Sequence, residues 1–228
     1  MALSRQGPGR GGADRFIRFF REELIPFIDG NYRTKEFRIL AGPQAGAFFA
    51  LHALVTAPDL FDAYLTESSF RLSPAISEKV LQEARDFFAR TGSLRKFFYT
   101  SCEKSDDARA LERTKTIASI VESRKPEGFR FHLAIKEVSG DFIPAVDLKP
   151  ALRELFAGYR FPEGHPVGSV ADIKRYYAAL SADYGFDVDV PSLTMTFEGD
   201  RLASSGKVKE AIELFEYQLS LYPAALDA

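Results

Sequence analysis

Apolar residues recur at helical spacing near the start of the chain: Phe16, Phe19, Phe20, Leu24 and Phe27 alternate with Asp14, Arg15, Arg18, Arg21 and Glu22. This pattern predicts a helix over 13–29. The period then changes. Phe37-Arg-Ile-Leu-Ala41 is a short apolar run stopped by Gly-Pro, which predicts a strand. Residues 45–55 are small and apolar almost throughout, as in a buried helix, and Pro58-Asp59 closes that segment. A second strand is predicted over 61–66. A helix opens at Ser73-Pro74, with proline in its first turn, and runs to about Ala89. A third strand over 96–101, a polar-faced helix over 106–122, an alternating strand over 129–135 and a helix over 145–159 follow.

Strands that alternate with helices of ten or more residues require crossover connections, and so a parallel sheet. The stretch Phe161-Pro-Glu-Gly-His-Pro-Val-Gly168 has linker composition, and beyond it the pattern is helical only, over 171–184, 193–204 and 207–221. The organisation read from this is a flexible tail (1–12), an α/β domain of about four parallel strands (13–162), a linker (163–170) and a small helical extension (171–228).

Composition narrows the function classes. Hydrophobic residues make up 46% of the 228, enough for a sizeable core, and the formal net charge of −2 supplies no basic field for nucleic acid or anionic membrane. The single cysteine, Cys102, excludes an internal disulfide framework and suits a reducing compartment. No apolar run reaches the ~20 residues that span a bilayer. The Gly/Arg-rich start has no apolar signal core. A cytoplasmic protein with no cofactor and no metal is the expectation.

The segment Phe37-Arg-Ile-Leu-Ala-Gly-Pro-Gln-Ala-Gly-Ala-Phe-Phe-Ala50 joins a strand, a Gly-x-x-x-Gly turn and a small-residue helix, the context of a nucleophile elbow. Glu23-Leu-Ile-Pro-Phe-Ile-Asp29 and Tyr32-Arg-Thr34 precede it, and Pro58-Asp-Leu-Phe-Asp-Ala-Tyr64 follows it. Taken together and in order over residues 11–162, these segments resemble the Putative esterase family of α/β hydrolases, which includes esterase D and the ferric-enterobactin esterases. The resemblance implies a partial α/β-hydrolase fold: the family's first strands precede the region of likeness and are expected to be missing. It also implies a serine nucleophile, a histidine base and an acid.

This chain departs from the family at the nucleophile and at the base. The nucleophile position is Gln44, between Gly42 and Gly46. The backbone N–H of Ala45 is the one oxyanion donor the segment retains, because the other comes from an early loop. The base segment corresponds to Glu137-Val-Ser-Gly-Asp-Phe-Ile-Pro144, where Ser139 and Asp141 stand and no histidine does. His52, His132 and His165 lie elsewhere and read as structural or solvated. Glu103, Asp106 and Asp107 follow the third strand and are the candidate acids. Removing serine or histidine from such a unit costs about a million-fold in rate, so a catalytically silent homologue is expected. The alternative is a hydrolase with relocated residues, for which Ser68, Ser69, Ser101 and Cys102 are the candidate nucleophiles.

Residues 192–225 partly match a tetratricopeptide hairpin. Gly199 takes the small position, Gly206 the turn, Ala211 and Phe215 the packing positions and Pro223 the end, while Met195 and Leu202 replace the usual aromatics. This hairpin either packs on the hydrolase domain or offers a docking or dimer surface. The strand Phe37–Ala41, with Arg38 as its one charge, is a second candidate dimer contact through its free edge.

Overall fold

A computed structural model describes residues 12–67, 74–104, 108–137, 148–162, 164 and 167–223. They belong to two compact units, 1–151 and 152–228. The first unit opens with α1 (Ala13–Phe19), a π-helical turn (Phe20–Leu24) and α2 (Ile25–Asn31). Then come β1 (Ile39–Pro43), α3 (Ala45–Thr56), β2 (Ala63–Glu67), α4 (Pro74–Arg90), β3 (Phe97–Glu103), α5 (Ala108–Ser123) and β4 (Arg130–Lys136). Helix α6 (Leu148–Leu155) spans the boundary. The second unit holds α7 (Val170–Tyr184), α8 (Ser192–Ser204) and α9 (Val208–Leu221).

All four strands are parallel, in the order β1-β2-β3-β4. This is the α/β class that the alternating pattern predicts. Every connection steps one strand in the same direction, so a single crossover hand places α3, α4 and α5 on one face. The packing agrees. Leu40, Tyr64, Phe98 and Phe131 stand opposite one another in register and share an apolar cluster with Leu51 and Leu54 of α3, Phe88 of α4 and Ile117 of α5. Burial pushes the Tyr64 phenol well above its ordinary range.

Strand β1 lies two residues later than its pattern predicts, because pairing continues through Gly42↔Thr66 and Pro43↔Glu67. The Arg38 carbonyl and the Gln44 N–H both bond to the β2 side. Even-numbered residues therefore face β2, and the backbone groups of Ile39, Ala41 and Pro43 face away. Proline is tolerated because its missing N–H falls on the outer side of an edge strand. Among the described strands, none pairs with that side of β1. The single helix expected over 13–29 continues to Asn31 and contains the π-helical turn. The helix expected over 145–159 is observed over Leu148–Leu155, with 145–147 outside the described residues.

In the second unit, α7 starts at a capping box: Asp172 accepts from the backbone N–H groups of Gly168 (2.9 Å) and Ser169 (3.0 Å). The Gly168 bond comes first among the contacts that hold the Asp172 carboxyl below its ordinary range. Gly185, at φ 77, ends the helix in the left-handed region that a side chain resists. Helices α8 and α9 pack as an antiparallel pair around Met195, Leu202, Ala211 and Leu214. A Cβ on Gly199 would come within 2.5 Å of the Phe215 ring, so only glycine lets this pair approach. The Gln218 amide, which is buried, donates to Ser192 O (3.1 Å), Ser192 Oγ (2.9 Å) and Thr196 Oγ1 (2.9 Å), fixing the register of the two helices.

Candidate functional site

In open parallel sheets, ligands meet the protein at the carboxyl ends of the strands. At the end of β1 the chain reverses into α3 within one residue. That residue, Gln44, has φ 48 and ψ −112 and is the one non-glycine residue at positive φ among those described. Such a ψ lies outside the small left-handed region open to L-residues. Three contacts impose the conformation. Gln44 N–H donates to Glu67 O (3.1 Å), and Ala47 N–H donates to Gln44 O (3.0 Å). Gly42 and Gly46 then touch: a Cβ on Gly42 would lie 2.5 Å from the Gly46 carbonyl carbon and 2.6 Å from its oxygen. The two glycines permit the turn by direct backbone contact. The turn is the strained strand-to-helix geometry of a nucleophile elbow, and it presents an exposed glutamine side chain.

The other candidates are placed as follows. Glu103 is the last residue of β3, opposite Lys136 on β4, and not in the loop where the pattern put it. Pairing carries β3 beyond its apolar run. Across the same end of the sheet, Lys136 donates to the carboxylate of Glu67, reaching over β3 from β4 to β2. Asp106, Asp107, Ser68, Ser69, Ser139, Asp141 and His165 lie outside the described residues.

His52 is on α3, eight residues past Gln44, and so about 12 Å further along the helix axis. Its Nδ1 lies 3.2 Å from Glu83 and its Nε2 3.0 Å from Asp14, so both ring nitrogens face carboxylates away from the elbow. His132 lies flat against Tyr99, with ring centroids 5.4 Å apart and an interplanar angle of 1°. Ser101 is 2% exposed, and its hydroxyl has no hydrogen-bond partner among the described residues, so it is not poised as a nucleophile. Cys102 is 1% exposed, whereas reactive thiols sit partly open in electropositive surroundings.

Among the described residues, no group of three or more His, Cys, Asp or Glu could hold a metal ion. No helix among them is long and apolar enough to cross a membrane. A groove of about 350 Å³ between α4 and α5 carries Arg85 and Arg124. It makes a poor anion site, because Arg85 is paired with Glu78 and the Thr116 and Ser123 hydroxyls donate to their own helix.

A parallel sheet flanked by helices, with this elbow at the end of an edge strand, defines an α/β-hydrolase fold of which the chain carries a part. Residues 2–125 match the family profile described as Putative esterase, and the chain belongs to that family. It is 38% identical over 65 residues to the ferri-bacillibactin esterase BesA of Bacillus subtilis, covering 28% of this chain and 22% of that protein. It is 40% identical over 85 residues to a siderophore enterobactin esterase of Emericella nidulans, covering 35% of this chain and 26% of that protein. The matches thus span about a quarter of each relative. An IroE-like serine hydrolase from Shewanella oneidensis shares the fold, with a TM-score of 0.70 and 20% identity over 92% of this chain and 68% of that one. A protein from Capnocytophaga ochracea aligns with a TM-score of 0.63 and 17% identity over 91% of this chain and 60% of its own.

Proposed function

We propose that this chain is an esterase-like α/β-hydrolase homologue that does not hydrolyse esters. The observation that carries this reading is Gln44. The strained turn that exposes a nucleophile in active relatives is built here around a carboxamide, which has no chemistry comparable to an activated hydroxyl. The described histidines support the reading: His52 is occupied by two carboxylates and His132 by an aromatic ring. What survives at the site is the N–H of Ala45 and the start of α3, groups that can bind but not attack. The relatives named for siderophore esters point to an ester-bearing ligand class for this site. The single cysteine, Cys102, suits a reducing compartment and so supports a cytoplasmic location.

The test is turnover of short-chain aryl esters together with labelling by a fluorophosphonate. Neither is expected, and Gln44→Ser alone should not yield robust activity, because the base segment 137–144 contains no histidine. Turnover that a fluorophosphonate abolishes would overturn the reading.

A second reading rests on α8 and α9. As a tetratricopeptide-like hairpin, this pair would serve as a docking surface, and Leu193, Phe197, Val208 and Ile212 on it are each more than half exposed. Replacing Phe197 and Ile212 with aspartate should then abolish any self-association seen by light scattering.

A further inference from the structure

The segment Ala13–Asn31 is attached to the first unit unlike any other helix there. Over α1, the π-helical turn and α2, one side chain, Ile17, is buried. Helix α3, with 12 residues, buries seven. The inner stripe of the segment, Ile17, Phe20, Leu24 and Ile28, is otherwise only half-buried. Phe20 meets Phe49 and Phe61 at ring-centroid distances of 6.0 and 5.3 Å.

Charge does the rest. Asp14 meets His52 Nε2 at 3.0 Å, Arg21 meets both oxygens of Asp59 at 2.8 Å, and Asp29 meets Arg38 at 2.6 Å. Positions 14, 21 and 29 are seven and eight residues apart, so one polar tie, a carboxylate–histidine contact or an ion pair, recurs about every two turns along one flank. Arg38 holds the Asp29 carboxyl below its ordinary range. The ties lie near solvent, with Asp14 86% and Asp59 66% exposed, where salt screens them. After Asn31, residues 32–38 have no regular secondary structure and lead directly into β1. The π-helical turn in the middle of the segment interrupts regular helix, a feature that recurs at functional sites.

We propose that Ala13–Asn31 is a strap that opens as a unit ahead of the rest of the first unit, and that its two ion pairs and the Asp14–His52 contact are what hold it shut. Elements with few buried apolar contacts open first. Opening bares Phe49 on α3 and Phe61 ahead of β2, and it frees the linker into β1, whose far end carries Gln44.

Hydrogen exchange on the full chain, read by mass spectrometry, tests this. At low salt, amides in 13–31 should exchange about tenfold faster than those of α3. Raising NaCl to about 0.5 M should speed 13–31 a further threefold or so while leaving α3 unchanged, since exposed pairs contribute on this scale. Arg21→Asp should speed the strap at low salt, and adding Asp59→Arg should restore its protection, a rescue that a loss of packing would not show. Exchange in 13–31 as slow as in α3, insensitivity to salt, or failure of the charge swap to restore protection would each overturn the proposal.

Discussion

Replacing Gln44 with glycine should stabilise the first unit. Gln44 holds φ 48 and ψ −112, a conformation that glycine adopts freely and a Cβ resists. Strain of this kind costs about 1–3 kcal/mol. Glycine also gains conformational freedom in the unfolded chain, which offsets roughly 0.5–1 kcal/mol. The Gln44 side chain is exposed, so its loss removes little packing. The balance is a gain of about 1 kcal/mol, or about 2–4 °C in Tm for a chain of this size. Urea and thermal denaturation followed by circular dichroism would measure it. Gln44→Ala is the control, because it keeps the Cβ and therefore the strain, and it should gain nothing. A glycine variant less stable than the parent, or an alanine variant that matches it, would show that the elbow is unstrained.

The two close glycine contacts lead to losses instead. Gly42→Ala forces a methyl group into the Gly46 backbone, where no side chain can swing away. It should cost about 3 kcal/mol or more in urea denaturation. Gly199→Ala meets the Phe215 ring, which can shift, and should cost about 1–3 kcal/mol, with Phe215→Leu recovering part in the same background. The carboxyl of Asp172 is held below its ordinary range by the Gly168 and Ser169 N–H groups. Its contribution to α7 is therefore fully present above the unfolded value of about 4 and is lost as pH falls through the lower folded value. Helical circular dichroism titrated from neutral to acid pH should show that loss, and Asp172→Asn should flatten it.

Much of this architecture is written locally. The alternation of short apolar runs with amphipathic stretches determines four strands and their crossover helices, because the strand and helix periods depend only on neighbouring residues. The elbow was legible for the same reason: Gly42 and Gly46 bracket Gln44 within five residues, and the clash that a Cβ on Gly42 would create involves no distant part of the chain. The pairing of α8 and α9 is legible likewise, from the helical periods over 193–204 and 207–221.

What the sequence left open depends on partners far along the chain. Pro43 looks like a terminator, yet it belongs to β1, because only the sheet decides that its nitrogen faces outward. Glu103 looks like a loop carboxylate, yet pairing with Lys136 makes it a strand end. His52 gained its two carboxylates from α1 and α4, 38 and 31 residues away. Ser101 and Cys102 were plausible nucleophiles until the sheet buried them. Exposure and partnership are set by burial and by long-range pairing, and no local period encodes either one.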